Sequence, residues 1–116
     1  MIKALDEGWR KADGLKPVTH EVRDLFRSPL IPDELAGFDA VVIDPPRAGA
    51  AAQIEQIGAS SVQTVAYVSC NPASFARDAK ELVECGFHLD RIRVVDQFRW
   101  SSHVELVAGF SRRIAA

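Results

Sequence analysis

The chain has 116 residues, 47% of them hydrophobic, and a formal net charge of −2. That is length for one modest domain and apolar content for a packed core, which excludes a disordered chain. The charge balance excludes a polycation, so any contact with nucleic acid must come from a local basic patch.

The two cysteines, Cys70 and Cys85, have no metal-ligand spacing, and there is no signal peptide or long apolar run. A reducing, cytoplasmic setting is expected.

Residues 2–13 place Ile2, Leu5, Trp9 and Ala12 at near-helical spacing between charges, which predicts an amphipathic helix stopped at Gly14. Residues 17–23 alternate weakly and predict a short strand with Asp24 at its exit. Residues 25–32, with two prolines and two arginines, predict a loop, and Asp33, Glu34 and Leu35 one helical turn.

Residues 38–43 are apolar on both faces, as a buried parallel strand is; Pro45 and Pro46 end it because they cannot donate to a ladder. Residues 48–58 are Ala-rich and predict a helix after Gly49, with Ile54 and Ile57 toward the sheet. Residues 62–70 predict the central strand. Residues 73–84 predict a helix with Phe75, Ala79, Leu82 and Val83 inward, ended by packing at Cys85 and a stop at Gly86.

Residues 87–96 predict a strand whose apolar run is broken at Leu89, Arg91 and Arg93, as at a sheet edge. Residues 103–110 predict the last strand, and residues 111–113 leave the fold. The alternation of strand and helix is an α/β pattern.

Chemistry gathers at strand ends. Asp44 and Cys70 end parallel neighbours and fall on one rim, where an open α/β sheet places its sites. A helix beginning beside Cys70 favours the thiolate. The short connection over residues 97–102 requires an antiparallel last strand. Its start, with Glu105 and His103 on one face, returns to the same rim. Residue types alone leave alternatives open: Cys70 as a small core residue, Asp44 as a turn cap, Glu105 as a solvated strand residue, and the arginines at 91, 93, 99, 112 and 113 as solvated charge.

Three motifs occur in order: Asp44-Pro45-Pro46-Arg47, then Ser69-Cys70-Asn71-Pro72, then Asp96-Gln97-Phe98 followed by His103-Val104-Glu105. Together they resemble the RNA (uracil-5-)-methyltransferase family, enzymes that make 5-methyluridine in tRNA or rRNA. The resemblance covers nearly the whole chain but only the C-terminal half of the family's catalytic domain. It implies a partial Rossmann-like class I methyltransferase sheet, mostly parallel with an antiparallel last strand.

It also implies S-adenosyl-L-methionine as cofactor and RNA as partner. Cys70 is then the nucleophile on uracil C6, and Glu105 the base that removes the C5 proton. Asp44 faces the cofactor and the uracil edge, Asp24 meets the cofactor's adenosine part, Arg47 meets a phosphate or orients Asp44, and Phe98 stacks on a flipped base. Where family members carry a proline after that phenylalanine, this chain has Arg99 and Trp100.

No glycine-rich cofactor turn or RNA-binding domain is present in these residues, so the chain is expected to be a fragment inactive alone. The edge at residues 38–43 is then open to a second copy, and a homodimer is expected. Two other readings are an amino-methyltransferase of the Asp-Pro-Pro type, which Arg47 and Cys70 argue against, and a non-catalytic interaction module.

Overall fold

A computed structural model describes residues 17–96 and 104–113. Apolar runs give four strands: β1 (Ala40–Ile43), β2 (Thr64–Ser69), β3 (His88–Asp96) and β4 (Val104–Ser111). Between them lie α1 (Pro32–Leu35), α2 (Ala51–Gly58) and α3 (Pro72–Glu84). The strands form one sheet in the order β1-β2-β4-β3.

β1 runs parallel to β2, with Ile43 opposite Tyr67. β4 runs antiparallel to both its neighbours, with Ser69 opposite Leu106 and Asp96 opposite Val104. Three strands therefore share a direction, as expected, but the antiparallel strand sits inside the sheet. Among the described residues β3 is one edge, as its polar residues predicted, and β1 is the other.

Alternation decides which face is covered. Val65, Tyr67, Leu106, Ala108 and Phe110 are buried with Ile54 and Ile57 of α2 and Phe75 and Leu82 of α3. Burying each Val, Leu, Ile or Phe side chain among them is worth about 1.5–3 kcal/mol. On the opposite face Ala66 and Val68 are half-buried, while Val42 is 76% exposed.

Asp78 on α3 was not foreseen in the interior, yet it is 1% exposed. Ala50, at the start of α2, has no side chain that could cap the helix. Asp78 Oδ2 does so from across the interface, accepting from Ala50 N at 2.8 Å and from the Tyr67 hydroxyl. Burial, and then this carboxylate, push the Tyr67 phenol well above its usual range. Gly49 makes the approach possible: its φ is +82°, and a Cβ there would meet Asp78 Oδ2 at 2.8 Å.

Asp78→Ala strips a cap and leaves two buried donors unpaired. A loss of about 2–4 kcal/mol is expected in thermal unfolding. A midpoint unchanged from wild type would contradict this account.

Four expectations fail. Residues 38–43 do not form a strand buried on both faces: β1 begins only at Ala40, and Ala40 and Val42 are exposed, since no described element covers that face. Val83 points outward at 51% exposure, and the inward place on that turn of α3 belongs to Leu82. Residues 17–23 form no strand. They pair with no described strand. Instead Arg23 reaches Glu34 with two bonds of 2.7 and 2.9 Å and the carbonyls of Ser28 and Pro29, holding the Glu34 carboxyl below its usual range.

Nor do residues 111–113 simply leave the fold. Ser111 ends β4, and Arg112 turns back inward. Its guanidinium donates to the carbonyls of Ser60 at 2.7 Å, Cys85 at 2.9 Å, Val62 and Gly58 at 3.0 Å and Ile57 at 3.2 Å. It also lies 4.1 Å over the Phe87 ring. A cation is thereby set at the negative ends of both α2 and α3. The helix expected over residues 2–13 lies outside the described residues.

Candidate active site at the sheet rim

The site begins with where strands stop. β1 and β2 end on one rim because they are parallel neighbours, and β4 starts there because it runs the other way. Asp44 is the first residue beyond β1, and it is exposed. The turn cap left open for Asp44 fails on simple chemistry: an Asx-turn needs an N–H two residues on, and that residue is Pro46.

Cys70 is the first residue beyond β2 and is a half-buried free thiol. Since Ser69 lies opposite Leu106, one step further along each strand brings the position of Cys70 level with that of Glu105. Glu105 itself is half-buried and pairs with Val95 of β3. The structure thus brings Asp44, Cys70 and Glu105 to a common rim.

The loop carrying Cys70 is tightly held. Ser69 Oγ accepts from Asn71 N at 3.0 Å and donates to Asn71 O at 2.9 Å. Asn71 caps α3, accepting from Ala73 N at 3.1 Å. Asn71 Nδ2 and Ser74 Oγ both donate to the Arg47 carbonyl, each at 2.8 Å. Arg77 donates to the Ala48 carbonyl at 2.7 Å. The Asn-Pro pair could have announced the cap in the sequence. Nothing there announced the bonds to residues 47 and 48.

Beside Asp44 lies a pocket of about 230 Å³, walled by Leu25, Phe26, Val42, Ile43, Pro45, Pro46, Gly49 and Ala50, with Asp44 and Gln53 as its polar members. Gln53 is already spent on the backbone of Leu30. Asp24 does not line this pocket and ends no strand. Its carboxylate accepts from Phe26 N at 3.0 Å, and its carbonyl accepts from Ser28 N at 2.8 Å. It therefore shapes the turn that delivers Leu25 and Phe26. The Arg47 side chain is exposed. Phe98, with Trp100 and His103, lies outside the described residues.

Cys85, half-buried at the far end of α3, has its thiol pushed up by burial and by the Glu81 carboxylate. At pH 8, Cys85 is expected to react with iodoacetamide several-fold more slowly than an unhindered thiol, because less of it is thiolate. Peptide mass mapping checks this, and labelling at the free-thiol rate would refute it. Among the described residues no group of three His, Cys, Asp or Glu side chains could hold a metal.

A model of the family tRNA (Uracil-5-)-methyltransferase matches residues 10–113. An RNA methyltransferase of Caulobacter vibrioides, itself uncharacterized, is 56% identical over 96% of this chain and 27% of its own length. The 23S rRNA (uracil(1939)-C(5))-methyltransferase RlmD of Vibrio vulnificus is 45% identical over 65% of this chain and 17% of its own. The crystal structure of Pyrococcus abyssi tRNA (uracil-54, C5)-methyltransferase with S-adenosyl-L-homocysteine superposes on 66% of this chain and 19% of that one. The TM-score is 0.58 and the identity 42%. The chain spans about a quarter of the length of curated relatives it matches.

Proposed function

This chain belongs to the tRNA (uracil-5-)-methyltransferase family, and from that premise we propose that it forms the catalytic rim of an S-adenosylmethionine-dependent enzyme methylating uridine C5 in tRNA or rRNA. The sheet is then part of a Rossmann-like class I methyltransferase domain. One observation carries the reading: the β2–β4 register sets the thiol position beside the carboxylate position at one rim.

The pocket beside Asp44 suits an adenosyl group. Its walls are apolar, and its one uncommitted polar group is a carboxylate able to accept from N–H or O–H donors. Leu25, Phe26 and Asp44 would hold the cofactor there, with Asp24 acting through the turn it braces. When bound, the cofactor supplies an electrophilic methyl group.

The residues of this chain do the rest. Uracil C5 is a weak nucleophile. Cys70, as thiolate, adds to C6, and the electron pair displaced from the C5–C6 bond makes C5 nucleophilic enough to take a methyl group. Glu105 then accepts the C5 proton. The electrons of that C–H bond re-form the C5–C6 double bond and expel Cys70 as thiolate, so nothing covalent remains. Arg47, exposed on the same turn as Asp44, would meet an RNA phosphate.

The test uses the full-length protein that carries this segment. With cofactor and RNA containing 5-fluorouridine, C5 has no proton to lose, so a denaturation-resistant protein–RNA adduct is expected. Glu105→Gln is expected to accumulate a similar adduct on ordinary RNA, visible as a shifted band on a denaturing gel. No adduct in either experiment would defeat the proposal.

A further inference from the structure

The turn after Pro45-Pro46 is poor in donors of its own. Neither proline has an N–H, and a single backbone bond, from Gly49 N to Pro46 O at 2.8 Å, closes it. Such a turn takes its position from outside. Here the outside partners are the loop that follows Cys70 and helix α3, whose Arg77 also donates to the Ala48 carbonyl at 2.7 Å. The Arg47 carbonyl accepts from Asn71 Nδ2 and from Ser74 Oγ, both at 2.8 Å.

Asn71 is the more telling donor because it is covalently next to Cys70. Ser69 grips its backbone on both sides, through N at 3.0 Å and O at 2.9 Å. Its side chain divides its work. Oδ1 caps α3 through Ala73 N, while Nδ2 crosses to the neighbouring loop. A serine, threonine or aspartate would cap the helix as well. Of these, only the amide accepts at one end while donating at the other across such a reach.

We propose that Asn71 is a positioning residue: it holds the Asp44-Pro45-Pro46-Arg47 turn in register with the Cys70 loop, so that the thiol and the pocket beside Asp44 face the same pyrimidine ring. This rests on the methyltransferase reading above. The arrangement matters because a misplacement of about 1 Å between reacting groups can cost on the order of 10²-fold in rate.

Asn71→Ser in the full-length protein separates the two tasks. It keeps a capping acceptor, adds no charge, and is too short to reach the Arg47 carbonyl. Two measurements read the result. In hydrogen exchange, the Gly49 amide is expected to exchange about tenfold faster while the amides of α3 keep their protection. In methyl transfer, kcat is expected to fall about 10- to 100-fold with KM for RNA unchanged.

Wild-type exchange at Gly49, or faster exchange with an unchanged kcat, overturns the proposal and leaves Asn71 a helix cap only. Should Asn71→Ser loosen α3 as a whole, Asn71→Asp decides: it keeps the capping acceptor and removes the Nδ2 donor, and a kcat and Gly49 exchange equal to wild type would overturn the proposal. If the wild-type protein methylates no RNA, the methyltransferase reading and the catalytic part of this proposal fall together. The exchange data then judge the tether alone.

Discussion

Cys70→Ala in the full-length protein abolishes adduct formation with 5-fluorouridine RNA and lowers methyl transfer by on the order of 10⁴-fold or more. The magnitude follows from the chemistry. Without addition at C6, C5 stays too weak a nucleophile, and no neighbouring group substitutes. The other thiol, Cys85, follows the last turn of a 13-residue helix that starts beside Cys70. That places it about 20 Å away. Cys70 is only half-buried, so the alanine variant keeps wild-type stability to within about 0.5–1 kcal/mol. Capture of RNA by the alanine variant, as a gel-stable species, would end the covalent account.

Arg112→Ala destabilises the fold by about 3–5 kcal/mol, read from thermal or denaturant unfolding. The guanidinium bonds five carbonyls from the ends of α2 and α3 and from the segment entering β2, and it stacks on Phe87. Its burial already pulls its proton affinity down, and the bonds outweigh that cost. Lysine recovers little, because an ammonium has three donors and no planar fork. Arg113→Ala is the control: that residue is exposed, and its loss should stay within about 0.5 kcal/mol. Equal effects for the two arginines would show that the clamp carries no weight.

The sequence exposed what depends on local pattern. The strand ending at Ile43, the helix beginning at Pro72 and the stop at Gly86, whose φ is +99°, follow from apolar runs, proline chemistry and glycine's conformational freedom. The common rim of Asp44, Cys70 and Glu105 was legible because two strand ends and one short connection define it.

What stayed hidden depends on partners distant in sequence. Asp78 reads as one more solvated carboxylate until Ala50 and Tyr67 are seen around it. Arg112 reads as a solvated charge, since no pattern in its own segment announces five carbonyls. Residues 17–23 alternate like a strand, yet alternation cannot supply a neighbour to pair with. The Asn71 side chain's bond to the Arg47 carbonyl needs the turn at residue 47 to arrive.

β4 was placed inside the sheet, between two strands that precede it in the chain. A ribosome therefore delivers β3 while its sole described neighbour is still unmade. The nascent protein must keep that ribbon waiting, solvated or chaperoned, until β4 folds back against it to make the hairpin. Glu105 and Arg112 ride on the hairpin's second arm and the residue after it. The carboxylate opposite the thiol and the clamp on the helices accordingly arrive in one late event, and a chain halted before it has neither.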